Sequence, residues 1–142
     1  MLRGSCCCKA IEFEVDAEPT MMGACHCSRC RKTGAPAFIV IRSDQFRYVK
    51  GEEFVARYVP EAPYTSPRLF CKNCGTAIGE LELPQQGWGA VAVTALDGDP
   101  GVRVRFHEYV SSKAPWYEIL DGMPQFPERP VRRDANEQPQ AS

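Results

Sequence analysis

Eight cysteines in a chain of 142 residues are the feature that most constrains what this sequence can become. They fall into three groups along the chain: Cys6, Cys7 and Cys8; Cys25, Cys27 and Cys30; Cys71 and Cys74. The N-terminus lacks the apolar stretch of a secretory signal, so we expect a cytoplasmic, reducing setting. In such a setting, clustered cysteines are more often metal ligands or catalytic groups than disulfides.

The overall composition is that of an ordinary globular domain, with 44% hydrophobic and 25% charged residues. The net charge of -1 gives no electrostatic reason to expect nucleic acid or an anionic membrane as a partner. The uncharged stretch over residues 83–96 is shorter than the roughly 20 apolar residues that a membrane span needs. Because the composition turns charged and proline-rich after Phe126, we predict one folded domain over residues 1–126 and a disordered tail over residues 127–142.

The periodicity of the apolar residues predicts a mainly β fold with little helix. Apolar and charged residues alternate over residues 11–15 and again over residues 102–106, which is typical of half-buried strands. In the second segment this alternation predicts that His107 lies on the polar face. Twelve prolines and eleven glycines interrupt the windows that would be needed for a long amphipathic helix.

The turn signals predict one particular hairpin. Residues 45–50 and 54–59 both suit strands, and a glycine followed by two acidic residues, Gly51 to Glu53, separates them. We therefore predict that these two strands pair with each other through a tight turn.

The third cysteine group predicts half of a metal site. Cys71 and Cys74 are separated by two residues and followed by Gly75, so both thiolates can bind one metal ion while the glycine allows a positive φ. The other half must come from an upstream pair, and the spacing alone leaves both upstream groups available. Two thiolates plus two would make a closed, structural site, whereas three thiolates would leave the open position of a catalytic site.

Basic residues surround the last cysteine of the middle group. Arg29, Arg31 and Lys32 could balance the negative charge of a three-thiolate zinc site and bind the carboxylates of an anionic substrate. The alternative is that they are ordinary solvated charges.

Three further residues have open roles at this stage. In an extended Cys-His-Cys segment the side chain of His26 points away from its neighbours. This favours a histidine at the surface, or one that supports a metal ligand, over a metal ligand itself. His107 could complete a three-thiolate site, orient a substrate, or simply be solvated. Cys7 is predicted to be a buried residue with no role at either site.

Redox chemistry is the main alternative for the cysteines as a set, because redox proteins also use two cysteines separated by two residues. That chemistry usually comes with a βαβ context, which this chain lacks. The combination of all three groups in one small β-rich chain therefore favours zinc.

The motifs taken together resemble the glutathione-dependent formaldehyde-activating enzyme family, which is grouped with the centromere-protein V domain. The resemblance rests on Gly4-Ser5-Cys6-x-Cys8, Cys25-His26-Cys27-Ser28-x-Cys30-Arg31 and Phe70-Cys71-x-x-Cys74-Gly75-Thr76. It continues in His107-x-x-x-x-Ser112-Lys113-x-Pro115-Trp116 and in Asp121-Gly122-Met123-Pro124-Gln125-Phe126. It thus covers the chain from about Gly4 to Phe126, with one departure at Lys9, where family members commonly have glycine.

The resemblance implies a β-tent, that is, small packed antiparallel sheets joined by zinc. It also implies two zinc ions per chain, with the ligands divided between a structural site and a more labile site: Cys6, Cys8, Cys71 and Cys74; Cys25, Cys27 and Cys30. Family members combine glutathione with formaldehyde to give S-(hydroxymethyl)glutathione. We therefore expect a zinc-dependent carbon–sulfur lyase that acts on an adduct of a small thiol such as glutathione, with His107 as a candidate catalytic residue.

Three alternatives remain at this point. The same site could act on a different thiol or electrophile. The chain could be a non-catalytic zinc module that binds a protein partner, although a missing thiol in the middle group would have been its signature. The labile site could also serve redox chemistry or metal storage, because open thiolate sites oxidise and lose metal readily.

Overall fold

In the part of the chain that the structure describes, short segments form ten strands and one α-helix of five residues. The computed structural model describes residues 1–82 and 87–130. Within these ranges the strands are β1 (Leu2–Ser5), β2 (Glu12–Val15), β3 (Met22–Cys25), β4 (Ala37–Arg42), β5 (Phe46–Lys50), β6 (Val55–Tyr58), β7 (Arg68–Cys71), β8 (Ala77–Glu80), β9 (Trp88–Ala92) and β10 (Val104–Glu108). The helix, α1, spans Ser28–Lys32. The predicted mainly β fold with little helix is confirmed.

The strands form two sheets. The smaller sheet has the order β1-β2-β5, and the larger one has the order β10-β3-β4-β9-β8-β7-β6. Every named pair is antiparallel except β10 with β3, which is parallel. A parallel pair needs a long crossover, and here residues 26–103 run between its two strands.

The core lies between these two sheets. The small sheet contributes Phe13 and Val15, and the large sheet contributes fully buried residues from its central strands: Ile39, Ile41, Ile78 and Val91. Phe13 also stacks on Phe46 of β5, with the ring centroids 5.0 Å apart. These contacts fix the position of the strands from which the cysteine-bearing loops emerge.

The predicted hairpin around Gly51 is wrong. β5 pairs with β2 in the small sheet, whereas β6 pairs with β7 at the edge of the large sheet. Gly51 has φ 81° and begins a short 3-10 turn, and a Cβ atom there would lie 1.8 Å from the carbonyl oxygen of Ala10. The glycine therefore marks the point where the chain passes from one sheet to the other.

The last residues that the structure describes are bound to the rest of the protein. The backbone N–H groups of Tyr109 and Ser111 donate to the carbonyl oxygens of Glu128 and Pro127 at 3.0 and 3.2 Å. Most of the predicted tail, residues 131–142, lies outside the described residues, so the boundary at Phe126 stays a prediction. In the described part of the chain no helix has the length and apolar character for a membrane crossing.

Candidate metal sites

Four thiols meet where the two sheets approach each other, and we call this group the four-thiol cluster: Cys6, Cys8, Cys71 and Cys74. All four sulfur atoms lie within 4.8 Å of one another. The Sγ atoms of Cys6 and Cys8 are 3.6 Å apart, and those of Cys8 and Cys71 are 3.9 Å apart. The cluster thus joins the turn after β1 to the end of β7, across 63 residues of sequence.

Local backbone geometry orients these sulfur atoms. The N–H of Ile11 donates to Cys6 Sγ at 3.2 Å. After β7 the chain turns at Gly75, whose φ of 80° favours glycine, and its N–H donates to the carbonyl oxygen of Cys71 at 2.8 Å. Hydrogen bonding with Thr76 lowers the pKa of the Cys74 thiol to about 5, which favours the thiolate that a metal ion needs.

Three thiols form a second group at the end of β3, and we call it the three-thiol cluster: Cys25, Cys27 and Cys30. Cys25 ends β3, Cys27 is the N-cap of α1, and Cys30 lies within that helix. The Cys27 sulfur accepts the N–H of Cys30 at 3.3 Å and is close to the other two thiols. Hydrogen bonds from the Cys25 and Cys30 thiols lower the pKa of Cys27 to about 2, which favours the thiolate that a metal ion needs.

The sulfur atoms of the four-thiol cluster have the spacing of a tetrahedral metal site, and those of the three-thiol cluster also lie within 4.8 Å of one another. Zinc–sulfur bonds of about 2.3 Å in a tetrahedron place the sulfur atoms about 3.8 Å apart, which agrees with the 3.6 and 3.9 Å separations above. All eight cysteines lie in the described part of the chain, and each is a free thiol. Both clusters could therefore hold metal ions.

Arg68 is the residue at the three-thiol cluster that the sequence analysis missed. It is 8% exposed, and its Nη2 donates to Cys30 Sγ at 3.3 Å. The same nitrogen lies 2.9 Å from Glu80, and Nη1 donates to Thr33 Oγ1 at 3.3 Å. No motif in the sequence identified this arginine, because it acts across 38 residues from the beginning of β7.

A second charged residue, Glu108, also belongs to the surroundings of this cluster. It pairs with Cys25 across the parallel strands β10 and β3. Burial raises the pKa of its carboxyl group. Thiols, one arginine and two glutamates therefore share a partly buried region, whereas the four-thiol cluster has a neutral hydroxyl, Thr76, as its side-chain hydrogen-bond partner.

The two histidines are buried and in contact with each other, contrary to the prediction that His107 lies on a polar face. Their exposed fractions are 7% for His26 and 3% for His107. A register shift between Val104 and Phe106 breaks the alternation along β10, as β-bulges do, and turns His107 inward. Neither histidine is among the side chains that meet at the clusters.

A hydrogen-bonded chain runs through these histidines to a carboxylate. His26 Nε2 is 2.7 Å from His107 Nδ1, and His107 Nε2 is 2.7 Å from Asp121 Oδ2. Burial, and then the proximity of His107, lowers the pKa of His26. The hydrogen bond with His107 lowers the pKa of Asp121, so the carboxylate form is favoured.

The three predicted carboxylate-binding residues lie on α1 but differ in their contacts. The Arg29 guanidinium stacks over the Tyr64 ring, 4.0 Å from its centroid, and its Nη2 is buried without a hydrogen-bond partner among the described residues. Arg31 and Lys32 are exposed. Of the three residues, Arg29 is thus the one whose side chain is held by an aromatic contact while one of its guanidinium nitrogens lacks a hydrogen-bond partner among the described residues.

Two residues beside the four-thiol cluster differ from expectation or from the family pattern. Cys7 is exposed rather than buried. Lys9 has φ 64°, the left-handed conformation that favours glycine. Its ammonium group donates to Ser5 Oγ at 2.8 Å, so the lysine occupies a glycine-type position and is held by side-chain contacts.

Comparisons with known proteins agree with this architecture. The chain is 35% identical over 75 residues to an uncharacterized lyase of Schizosaccharomyces pombe, a match that covers 53% of this chain and 53% of that protein. The chain thus matches about half the length of this relative. A crystal structure of a Rhodobacter sphaeroides protein is similar with a TM-score of 0.59 and 29% identity, covering 68% of this chain and 89% of that one. The model of the family described as glutathione-dependent formaldehyde-activating enzyme matches residues 1–112. Because this match spans most of the 142 residues, the chain belongs to the glutathione-dependent formaldehyde-activating enzyme family.

Proposed function

We propose that this protein is a zinc-dependent carbon–sulfur lyase that forms or cleaves an adduct of a small thiol, with S-(hydroxymethyl)glutathione as the first candidate. Family membership and the lyase relative support an enzyme of the lyase type. The observation that carries the proposal is the three-thiol cluster, where three thiols meet without a fourth metal-ligating side chain among the described residues. Three protein ligands and one open position are the pattern of catalytic zinc sites.

In this proposal the two clusters have different tasks. The four-thiol cluster holds a structural zinc ion and the three-thiol cluster a labile one, giving two ions per chain. A zinc ion in the three-thiol cluster supplies positive charge that favours the thiolate form of a substrate thiol near neutral pH.

The side chains around the three-thiol cluster then bind and orient the substrate. Arg68 donates to Cys30 Sγ and so fixes one ligand of the cluster. Arg29 offers its unused guanidinium nitrogen to a substrate carboxylate, which is a strong, charge-assisted hydrogen bond. Arg31 and Lys32 add positive charge beside it, which attracts an anionic thiol such as glutathione.

Exchange NMR with glutathione and formaldehyde tests this function. We expect the zinc-loaded protein to accelerate interconversion between the free reactants and the adduct, and Cys30→Ser to lose that acceleration. Cys7→Ser is the matched control, because it removes an exposed thiol that belongs to neither cluster. Absence of acceleration by protein that carries two zinc ions would contradict formaldehyde as the substrate. Equal acceleration by Cys30→Ser would contradict the assignment of the reaction to this cluster.

A further inference from the structure

The buried chain formed by His26, His107 and Asp121 sets the order of the protons on the two imidazole rings when both rings are neutral. A neutral imidazole has one N–H donor and one bare nitrogen that accepts. Asp121 is a carboxylate and can only accept, so the His107 Nε2 that lies 2.7 Å from it must donate. At a pH at which both rings are neutral, His107 Nδ1 is then bare, and the His26 Nε2 that lies 2.7 Å away donates to it.

This order of donors leaves Nδ1 of His26 without a proton. Nδ1 is bonded to the ring carbon nearest the backbone, so it lies closer than Nε2 to the main chain between Cys25 and Cys27. Within residues 1–82 and 87–130 this atom makes no hydrogen bond. The backbone N–H of His26 donates to the carbonyl oxygen of Glu108 at 2.9 Å, which holds the residue against β10.

We propose that Asp121 and His107 are positioning residues that hold His26 as its Nε2–H tautomer, so that His26 Nδ1 accepts a hydrogen bond from a hydroxyl or thiol group of the substrate. The role toward substrate rests on the proposed function, whereas the tautomer does not. A bare nitrogen in a fixed orientation discriminates in favour of a donor group, because an acceptor or an apolar group would leave it unpaired.

Asp121→Asn is a sharp test, because the neighbouring backbone fixes the orientation of the new amide. Asp121 Oδ1 accepts the N–H of Met123 at 3.0 Å. In the variant the amide oxygen keeps that bond, so the NH2 group faces His107 and becomes a donor. His107 Nε2 must then accept, its Nδ1 must donate, and the proton of His26 must move to Nδ1.

Long-range proton–nitrogen NMR of the 15N-labelled, zinc-loaded protein at one neutral pH reads these tautomers directly. The chain has two histidines, so the spectrum holds four ring nitrogens. We expect the wild type to show both rings protonated at Nε2, and Asp121→Asn to show both protonated at Nδ1. Asp99→Asn is the matched control: its carboxylate pairs with Arg103 rather than with a histidine, and we expect wild-type tautomers.

Two results would overturn the assignment of the protons: a wild-type His26 protonated at Nδ1 or at both nitrogens, or tautomers that stay unchanged in Asp121→Asn. The wild-type spectrum alone decides the first, so the test survives a variant that folds poorly.

In the exchange assay at saturating glutathione, we expect Asp121→Asn to lower the rate about tenfold or more, the effect of one hydrogen bond to a charged or polar group. Reversed tautomers with an unchanged rate would overturn the role toward substrate. An inactive wild type would contradict the proposed lyase function and leave the tautomers as measured.

Discussion

The two thiol clusters of this protein are built from the same residue type but differ in how they are anchored. The four-thiol cluster connects the turn after β1 with the end of β7, across 63 residues, and so links the two sheets. The three-thiol cluster comes from one short segment, residues 25–30, at the end of β3 and the beginning of α1. The first is a connection between distant parts of the chain, and the second is a local arrangement.

The two clusters also differ in the charge of the side chains around them. Thr76 is the side-chain hydrogen-bond partner at the four-thiol cluster, whereas Arg68, Glu80 and Glu108 lie around the three-thiol cluster. The comparison indicates that a cluster which connects the sheets serves stability, while a local cluster in a charged, partly buried region is suited to bind and act on a ligand. The following predictions test this division, beginning with the largest effect.

Cys71→Ser should prevent folding. Structural zinc binding contributes about 10–16 kcal/mol of free energy, which matches or exceeds the whole stability of a typical domain, about 5–15 kcal/mol. Circular dichroism and the dispersion of an amide NMR spectrum measure the loss of folded structure. Cys7→Ser is the control and should fold and melt like the wild type. A Cys71→Ser protein with unchanged melting would show that the four-thiol cluster does not hold the sheets together.

Cys30→Ser should leave both sheets folded and remove one zinc ion per chain. The local origin of the three-thiol cluster is the reason, because its three cysteines come from one short segment and the cluster does not link the two sheets. Metal analysis together with a melting curve measures both effects. Two bound zinc ions in this variant would contradict the ligand assignment, and complete unfolding would contradict the difference between the clusters.

Arg68→Met should destabilise the protein by about 1–3 kcal/mol, because it leaves the partly buried Glu80 carboxylate without its partner. Arg57→Met is the control, since Arg57 pairs with Glu82 at the surface, where both side chains are about half exposed. Such exposed pairs contribute about 0–1 kcal/mol. Urea unfolding of both variants measures the difference. Equal losses of stability in the two variants would show that the Arg68–Glu80 pair contributes no more to folding than an exposed surface pair.

Asp121→Asn should have the smallest effect, and that effect should depend on pH. The hydrogen bond with His107 lowers the pKa of Asp121 below its ordinary value of 3.8. A lowered carboxylate pKa stabilises the folded state at pH values above 3.8, and this contribution is lost as the pH falls through the lowered pKa. The stability difference between wild type and variant should therefore narrow in acid. A stability difference that stays constant across this pH range would contradict the lowered pKa of Asp121.

Local patterns predicted much of this structure because they involve residues that are close in sequence. The alternation over residues 11–15 predicted β2, and the cysteine spacing predicted groups of thiols that do meet in space. The ligand assignment and the residues of the site stay predictions until the metal is measured.

The failures of sequence reasoning involve contacts between distant residues. Gly51 has the features of a hairpin turn. The strands on either side of it nevertheless pair with β2 and β7 rather than with each other, and the local sequence does not specify those partners. The buried position of His107 depends on a register shift against β3, and that of Arg68 depends on Cys30 in another strand–helix segment. Alternation and spacing contain no information about either partner.

The long span of the four-thiol cluster also has a consequence for the order of events during folding. Closing a loop of this length costs chain entropy before any contact repays it, and folds rich in such distant pairings form slowly. The pairing of β3 with β10 is a second late event, because β10 comes last in sequence among the described strands and is synthesised after the other nine. Metal that arrives early would close the first loop while the chain is still searching for its sheet partners. The supply of metal during synthesis would then govern how much of the chain reaches the native state.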